Sequence, residues 1–129
     1  MQRKLPLKRV IVIGGSISGL LCAKVLADCF EEVLIVERDS VKDGPAERTG
    51  VPQSPQPHIL LTQGYRLLKS FIPSLRDDLL AAGAVPMDWG QDFQFFIYGN
   101  WSATTGEPTG LESFSCTRPL LEAVVRRYV

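Results

Sequence analysis

The stretch RVIVIGGSISGLLCAKVLADCFEEVLIVE, residues 9–37, decides the fold. It opens with an apolar run that ends in glycines, so we predict a strand over Arg9–Gly14, buried on both faces as a central parallel strand is. Apolar residues then recur at helical spacing and predict a helix over Ser18–Phe30. A second apolar run, Val33–Glu37, predicts a parallel strand that ends on an acid. This order is that of a βαβ unit.

The glycine turn of this unit has the spacing of a dinucleotide-binding motif. Gly14 serves the tight turn, Gly19 lets the helix pack closely on the strand, and Ser16 stands where G-x-G-x-x-G has its second glycine. Gly15 restores some backbone freedom there, the Ser16 hydroxyl can donate a hydrogen bond, and the helix N-terminus attracts a pyrophosphate. Glu37 follows Gly19 by 18 residues, about where an acid meets a ribose hydroxyl. We therefore predict dinucleotide binding; the alternative is a tight α/β turn that simply requires glycine.

Composition narrows the class of protein. A chain of 129 residues is one domain or part of one. Its 14 basic and 14 acidic residues balance, which argues against a nucleic-acid partner. The three cysteines are not spaced as metal ligands and no secretory signal precedes them, so we expect reduced thiols and a cytoplasmic protein. No uninterrupted apolar run is long enough for a transmembrane segment.

The rest of the chain alternates loops with short elements. Residues 38–61 hold four prolines in a polar setting and are predicted to form one long loop, either functional or disordered. The later elements are predicted as a helix from Thr62 that Pro73 breaks, a helix over Leu75–Ala82, a hairpin of strands Asp92–Tyr98 and Trp101–Thr105 with its turn at Gly99-Asn100, a strand over Glu112–Cys116 and a last helix capped by Thr117.

Four features together carry a family resemblance: the glycine turn, the strand end at Glu37, the Val51–Leu61 loop and the last helix. The segments GVPQSPQPHILLTQGYRLL at residues 50–68 and FSCTRPLLEAVVRR at residues 114–127 carry the finer likeness to one branch. The chain resembles the N-terminal portion of flavin-dependent monooxygenases of the p-hydroxybenzoate hydroxylase type, in the branch of polyene epoxidases and squalene-monooxygenase-like enzymes. The resemblance implies an α/β fold class, a Rossmann-like FAD/NAD(P)-binding domain with a parallel sheet, helices and a small β-hairpin region. Residues 1–129 would be the N-terminal part of that domain, apparently truncated, because the later Gly-Asp motif and a third parallel strand are missing. The loop at 38–61 would lie close to the cofactor.

The resemblance also implies a set of cofactor-binding residues. Glu37 would bind the adenosine ribose of FAD, and Arg38 would flank the adenine. Arg48 matches an arginine in the loop over the flavin side of the cofactor. Arg118 matches an arginine that contacts FAD, although an exposed first-turn arginine is the alternative. The implied set is Gly14, Gly15, Ser16, Ser18, Gly19, Glu37, Arg38, Arg48 and Arg118, with no metal and no assigned catalytic residue.

Two other groups of residues leave alternatives open. Gln53 and His58 fall in the segment that approaches the isoalloxazine ring in the family, while packing or loop hydrogen bonding is the other interpretation of His58. Five aromatic residues either line an apolar substrate pocket or belong to the core. They are Trp89, Phe93, Phe95, Phe96 and Trp101.

These features support three functional hypotheses. The first is an FAD-dependent oxidoreductase, a monooxygenase (hydroxylase or epoxidase) that acts on a small apolar substrate, with NAD(P)H as reductant in the complete enzyme. The second is an inactive remnant, or a chain that depends on a second chain supplying the missing strands. The third is an NAD(P)-binding Rossmann module, because an acid at Glu37 suits NAD as well as FAD.

Overall fold

A computed structural model describes residues 8–129 and gives a mixed α/β protein. The described residues fall into two compact units. The first runs to Pro55 and also includes Arg118–Val129, and the second is Gln56–Thr117. In chain order the elements are β1 (Arg9–Ile13), α1 (Ile17–Ala27), β2 (Glu32–Val36), β3 (Pro57–Leu60), α2 (Thr62–Phe71), α3 (Leu75–Ala81), β4 (Val85–Asp88), β5 (Phe96–Ile97), β6 (Asn100–Trp101), β7 (Glu112–Thr117) and α4 (Arg118–Arg126).

The first unit contains the predicted βαβ arrangement. Strands β1 and β2 are parallel, with Ile11 opposite Leu34, and α1 packs on both strands. The helix ends at Ala27, three residues before the predicted end, because the chain turns at Asp28 and Cys29. Helix α4 packs against α1. Its buried side chains include Leu121, Glu122, Val124 and Val125.

The extended parallel sheet of the predicted Rossmann-like domain is not found in the described part of the chain. There the parallel sheet has two strands, β1 and β2. The prediction that β1 is buried on both faces is wrong, since Ile11 is 56% and Ile13 is 88% exposed. Exposure alternates along both strands because α1 covers one face of the sheet and leaves the other to solvent.

The second unit is built on an antiparallel sheet that the sequence did not suggest. Its strands lie in the order β3-β7-β4, and α2 and α3 contact this sheet. The core contains seven apolar residues, each less than 6% exposed: Tyr65, Leu68, Ile72, Leu75, Leu79, Ala84 and Phe114.

Two strands of this sheet, β3 and β4, were not predicted from the sequence. Residues 38–61 are not one loop, because Pro57–Leu60 pairs with β7, with His58 opposite Cys116. Strand β4 was not predicted because it contains Pro86, which a short edge strand tolerates. Both strands depend on pairing with a segment far along the chain, so local composition gives little sign of them.

The hairpin is shorter than predicted and its turn lies one residue earlier. Phe96–Ile97 pairs with Asn100–Trp101, and both turn residues have positive φ, 52° at Tyr98 and 82° at Gly99. Such a turn matches the twist of paired strands. The alternative that all five aromatic residues belong to the core is wrong for three of them, which are at least half exposed: Phe95, Phe96 and Trp101.

Candidate functional site

The glycine turn after β1 requires glycine at two positions. Gly14 has a φ of +99°, and its N–H donates to the Val36 carbonyl at 2.8 Å, which ties the end of β1 to the end of β2. A Cβ on Gly19 would lie 1.8 Å from the Gly14 carbonyl oxygen. Only glycine therefore lets α1 begin this close to the strand, as the motif predicts.

A cavity of about 440 Å³ opens at this turn, beside the carboxyl ends of β1 and β2. Ligands of α/β sheets bind at this end of the strands, and the volume is that of a small-molecule site. Six of the nine predicted cofactor-binding residues line it: Gly14, Ser16, Ser18, Gly19, Glu37 and Arg38. Four residues that the sequence analysis did not select complete the wall: Ile13, Val36, Gly50 and Val51.

The Glu37 carboxylate is fixed by backbone donors. Oε2 accepts the Gly15 N–H at 2.6 Å, and Oε1 accepts the Asp39 N–H at 3.0 Å. The hydrogen bonds from Asp39 and Gly15, helped by Arg48, lower the pKa of Glu37 to about 2. Glu37 is therefore ionised at neutral pH and joins the glycine turn to the segment after β2.

Arg48 is buried between two carboxylates. Its side chain is 5% exposed; Nη1 lies 3.0 Å from Glu37 Oε2 and Nη2 lies 2.6 Å from Glu122 Oε1. Burial disfavours the charged guanidinium, but the two carboxylates outweigh burial and raise the pKa of Arg48. Nη2 also donates to the Gly15 carbonyl at 3.4 Å. Arg48 thus supports the glycine turn from within the protein and does not line the 440 Å³ cavity.

Glu122 is a site residue that the sequence analysis missed. Its side chain is 6% exposed, Oε1 pairs with both Arg48 and Arg126, and Oε2 accepts the Ser16 hydroxyl at 3.0 Å. A signal for it was present in the sequence. Glu122 falls on the apolar stripe of α4, and a carboxylate on a buried helix face needs a cation beside it.

Ser16 and Arg118 also meet at the glycine turn. Ser16 is the N-cap residue of α1, yet its side chain makes no capping hydrogen bond to the helix. Its hydroxyl instead donates to Glu122 and accepts from Arg118 Nη2 at 3.5 Å. The Nε of Arg118 is buried and has no hydrogen-bond partner among the described residues. The alternative of an exposed first-turn arginine is therefore wrong.

A second cavity, of about 280 Å³, is also lined by Glu37. Its walls come from α1, β2 and the end of α4, and they are mainly apolar: Leu20, Ala23, Ala27, Val33, Ile35 and Val41. This cavity lacks Gly14, Ser18 and Gly19, so the turn that would hold a pyrophosphate belongs to the larger cavity.

Other candidate residues lie outside this cluster. His58 belongs to the second unit, where it pairs with Cys116 across the sheet, and Gln53 is exposed. Burial raises the pKa of the Cys116 thiol, which makes a reactive thiolate unfavourable. Residues 8–129 contain no group of His, Cys, Asp and Glu side chains arranged to hold a metal ion. In the same residues, every helix is too short or too polar to cross a bilayer.

Comparison with known proteins gives two relatives of much greater length. Over 126 residues, 96% of the chain, it is 34% identical to Protein Rv3254 of Mycobacterium tuberculosis, and it covers 27% of that protein. Over 98 residues, 70% of the chain, it is 37% identical to 2,6-dihydroxypyridine 3-monooxygenase of Paenarthrobacter nicotinovorans, and it covers 24% of that enzyme. The chain thus spans about a quarter of the length of these relatives. No protein-family profile matches it.

Proposed function

We propose that this chain is the dinucleotide-binding part of an FAD-dependent oxidoreductase. The observation that carries the proposal is the 440 Å³ cavity, which gathers the glycine turn, the first turn of α1 and Glu37 at the carboxyl ends of two parallel strands. The sequence similarity to a 2,6-dihydroxypyridine 3-monooxygenase supports the finer proposal of a monooxygenase, a hydroxylase or epoxidase.

The residues around the cavity fit the adenosine diphosphate portion of FAD. The tight turn at Gly14 and the close packing at Gly19 bring the first N–H groups of α1 and the positive end of its dipole close to the place of the pyrophosphate. Arg118 contributes a buried Nε donor that has no described protein partner. Glu37 would accept from the ribose, and Arg38, whose side chain is 78% exposed, would flank the adenine.

Bound FAD would supply the redox chemistry, taking electrons from NAD(P)H and activating oxygen for transfer to a small apolar substrate. The chain's own part in that reaction would be to bind and orient the adenosine end of the cofactor. The structure supports a different role for Arg48. From the protein interior it would hold the glycine turn and Glu37 in place, and it would not cover the flavin. We propose a cytoplasmic location for the protein, in keeping with its unpaired cysteines.

A second candidate is a chain that is inactive, or that binds FAD only with a partner chain. The observation that favours it is the uncovered face of the two-stranded sheet, where four apolar side chains are 46–88% exposed: Ile11, Ile13, Leu34 and Val36. A partner chain could cover such a face with a second layer, while any further strands that it supplied would pair with an edge of the sheet. A third candidate is an NAD(P)-binding module, which Glu37 suits equally well.

The visible spectrum of the purified chain tests these candidates. The chain is mixed with excess FAD, desalted and scanned, and the same is done with Gly14→Val, in which a β-branched side chain would have to adopt a φ of +99°. A flavin band in the wild type that is lost in the variant supports the proposal. A colourless wild type supports the partner-dependent candidate, and retention of NAD without flavin supports the third.

A further inference from the structure

We propose that Glu122 is a positioning residue that keeps the N-terminus of α1 open to an anion by drawing the Ser16 hydroxyl away from it. The inference deepens the proposed function, since the anion would be the pyrophosphate of the dinucleotide. It assigns to a residue of the last helix a role at the glycine turn, 106 residues earlier in the chain.

A serine at the start of an α-helix can cap the helix with its own side chain. The first four N–H groups of an α-helix have no partner within the helix, and a serine at the N-cap position satisfies one of them with its own hydroxyl. Ser16 has the extended backbone of an N-cap residue, with φ −84° and ψ −177°. Left to itself, Ser16 would bond the N–H of Ser18 or Gly19 and compete with a bound anion for that donor.

The Ser16 hydroxyl does not cap α1, because its hydrogen bonds go to two other side chains. Its hydroxyl donates to Glu122 Oε2 at 3.0 Å, and Arg118 Nη2 donates to the same hydroxyl. Glu122 is itself immobilised, because Oε1 is paired with Arg48 and Arg126 and the side chain is 6% exposed. A bond to a charged, buried acceptor is stronger than a bond to one backbone N–H. The Ser16 hydroxyl is therefore bonded to Glu122 and Arg118 and leaves the first N–H groups of α1 without a side-chain cap.

The test is a double-mutant cycle on FAD affinity. Ser16 lines the cavity, so Ser16→Ala alone is measured as the reference for what its hydroxyl contributes to FAD affinity. Glu122→Ala should bind about fivefold more weakly, the value of one serine cap, because Ser16 then caps α1. Adding Ser16→Ala to Glu122→Ala should restore the affinity to within about twofold of that reference.

This rescue separates positioning from a merely structural role. If Glu122 were merely structural, removing the Ser16 hydroxyl as well would weaken FAD binding further. In this proposal the second substitution strengthens binding, because it removes the competitor for the helix N–H groups. Glu122→Ala and the double variant both lose the ion pair with Arg48. The effect of that loss on FAD affinity therefore cancels when the two variants are compared. The proposal is overturned if the double variant binds FAD no better than Glu122→Ala.

Amide hydrogen exchange tests the proposal without a cofactor. Exchange at the Ser18 and Gly19 amides is measured in the wild type, in Ser16→Ala and in Glu122→Ala. Equal rates in the first two proteins with slower exchange in Glu122→Ala support the proposal. Slower exchange in the wild type than in Ser16→Ala, or no slowing in Glu122→Ala, would overturn it. A wild-type chain that binds no FAD would end the proposed function but would leave this test of Glu122 in place.

Discussion

At the residue scale, the Glu37 carboxylate can accept one more hydrogen bond. Oε2 is shared by the Gly15 N–H and Arg48, while the described hydrogen bond to Oε1 comes from Asp39. A carboxylate oxygen accepts about two hydrogen bonds. Oε1 is therefore the atom that a ribose hydroxyl would use, without breaking the bonds that hold the glycine turn.

Protonation of Glu37 should weaken the fold in a defined pH window. Its pKa is lowered from 4.5 to about 2, so the stabilisation by its charge is complete above about pH 4.5 and is lost as pH falls towards 2. Thermal unfolding of the wild type and of Glu37→Gln should differ most above pH 5. The difference should shrink between pH 4.5 and 2, and a constant difference over that range would contradict the assignment.

Gly19→Ala should destabilise the first unit and abolish FAD retention. The added methyl group would meet the Gly14 carbonyl at 1.8 Å, so the helix start must move; such overpacking costs about 1–3 kcal/mol or more. Gly64→Ala is the matched control, because it also lies in a helix and its Cβ would meet only the flexible Leu60 Cδ1 at 3.3 Å. We expect that control to change the free energy of unfolding by less than about 1 kcal/mol. Equal effects in the two variants would count against the role of Gly19.

The sequence predicted some residues of the site and not others for a physical reason. Gly14, Gly19 and Glu37 act through local spacing, which a single stretch of sequence displays. Glu122 acts through a contact with Ser16 across 106 residues, and only the folded chain brings those side chains together. The burial of Arg48 between Glu37 and Glu122 is likewise a tertiary fact, so the sequence suggested its importance but not its position.

At the scale of elements, one buried cation joins three segments of the first unit. Arg48 comes from the segment after β2, and its partners Glu37 and Glu122 come from the end of β2 and from α4. Helix α4 was predictable from its apolar stripe, whereas its attachment to the glycine turn through ion pairs was not. Strands β3 and β4 escaped prediction because each exists only through pairing with β7.

Removal of Arg48 should cost far more than removal of an exposed partner. Arg48→Ala leaves two carboxylates near each other, one of them only 6% exposed, and we expect a loss of about 3–5 kcal/mol in the free energy of unfolding. Arg76→Ala breaks the Arg76–Glu112 pair, whose side chains are 44% and 34% exposed, and should cost less than about 1 kcal/mol. Urea unfolding of both variants makes the comparison, and similar losses would show that the Arg48 pairs contribute little.

At the scale of the whole molecule, an apolar sheet face stands uncovered in a chain about a quarter as long as its relatives. Ile11 and Leu34 lie opposite each other on that face and are 56% and 46% exposed. The sequence suggested strands buried on both sides, because a parallel sheet normally is. Within the first unit, α1 packs on this sheet and covers its other face.

The uncovered face should make the isolated chain self-associate. Light scattering at rising protein concentration should show species larger than a monomer in the wild type and fewer of them in the Ile11→Thr, Leu34→Thr variant. Val85→Thr is the control, since Val85 is 61% exposed but lies on β4 in the other unit. Equal association in all three proteins would show that the face is not the cause.

Both tryptophans of the chain, Trp89 and Trp101, belong to the second unit. Trp89 donates from Nε1 to the Ser113 hydroxyl at 2.6 Å, while Trp101 is 65% exposed. Intrinsic fluorescence excited at the indole band is therefore an internal reporter of that unit alone, and iodide should quench Trp101 before Trp89. The glycine turn lies in the unit that has no tryptophan, so flavin absorbance and indole emission would give each unit its own unfolding curve in one experiment.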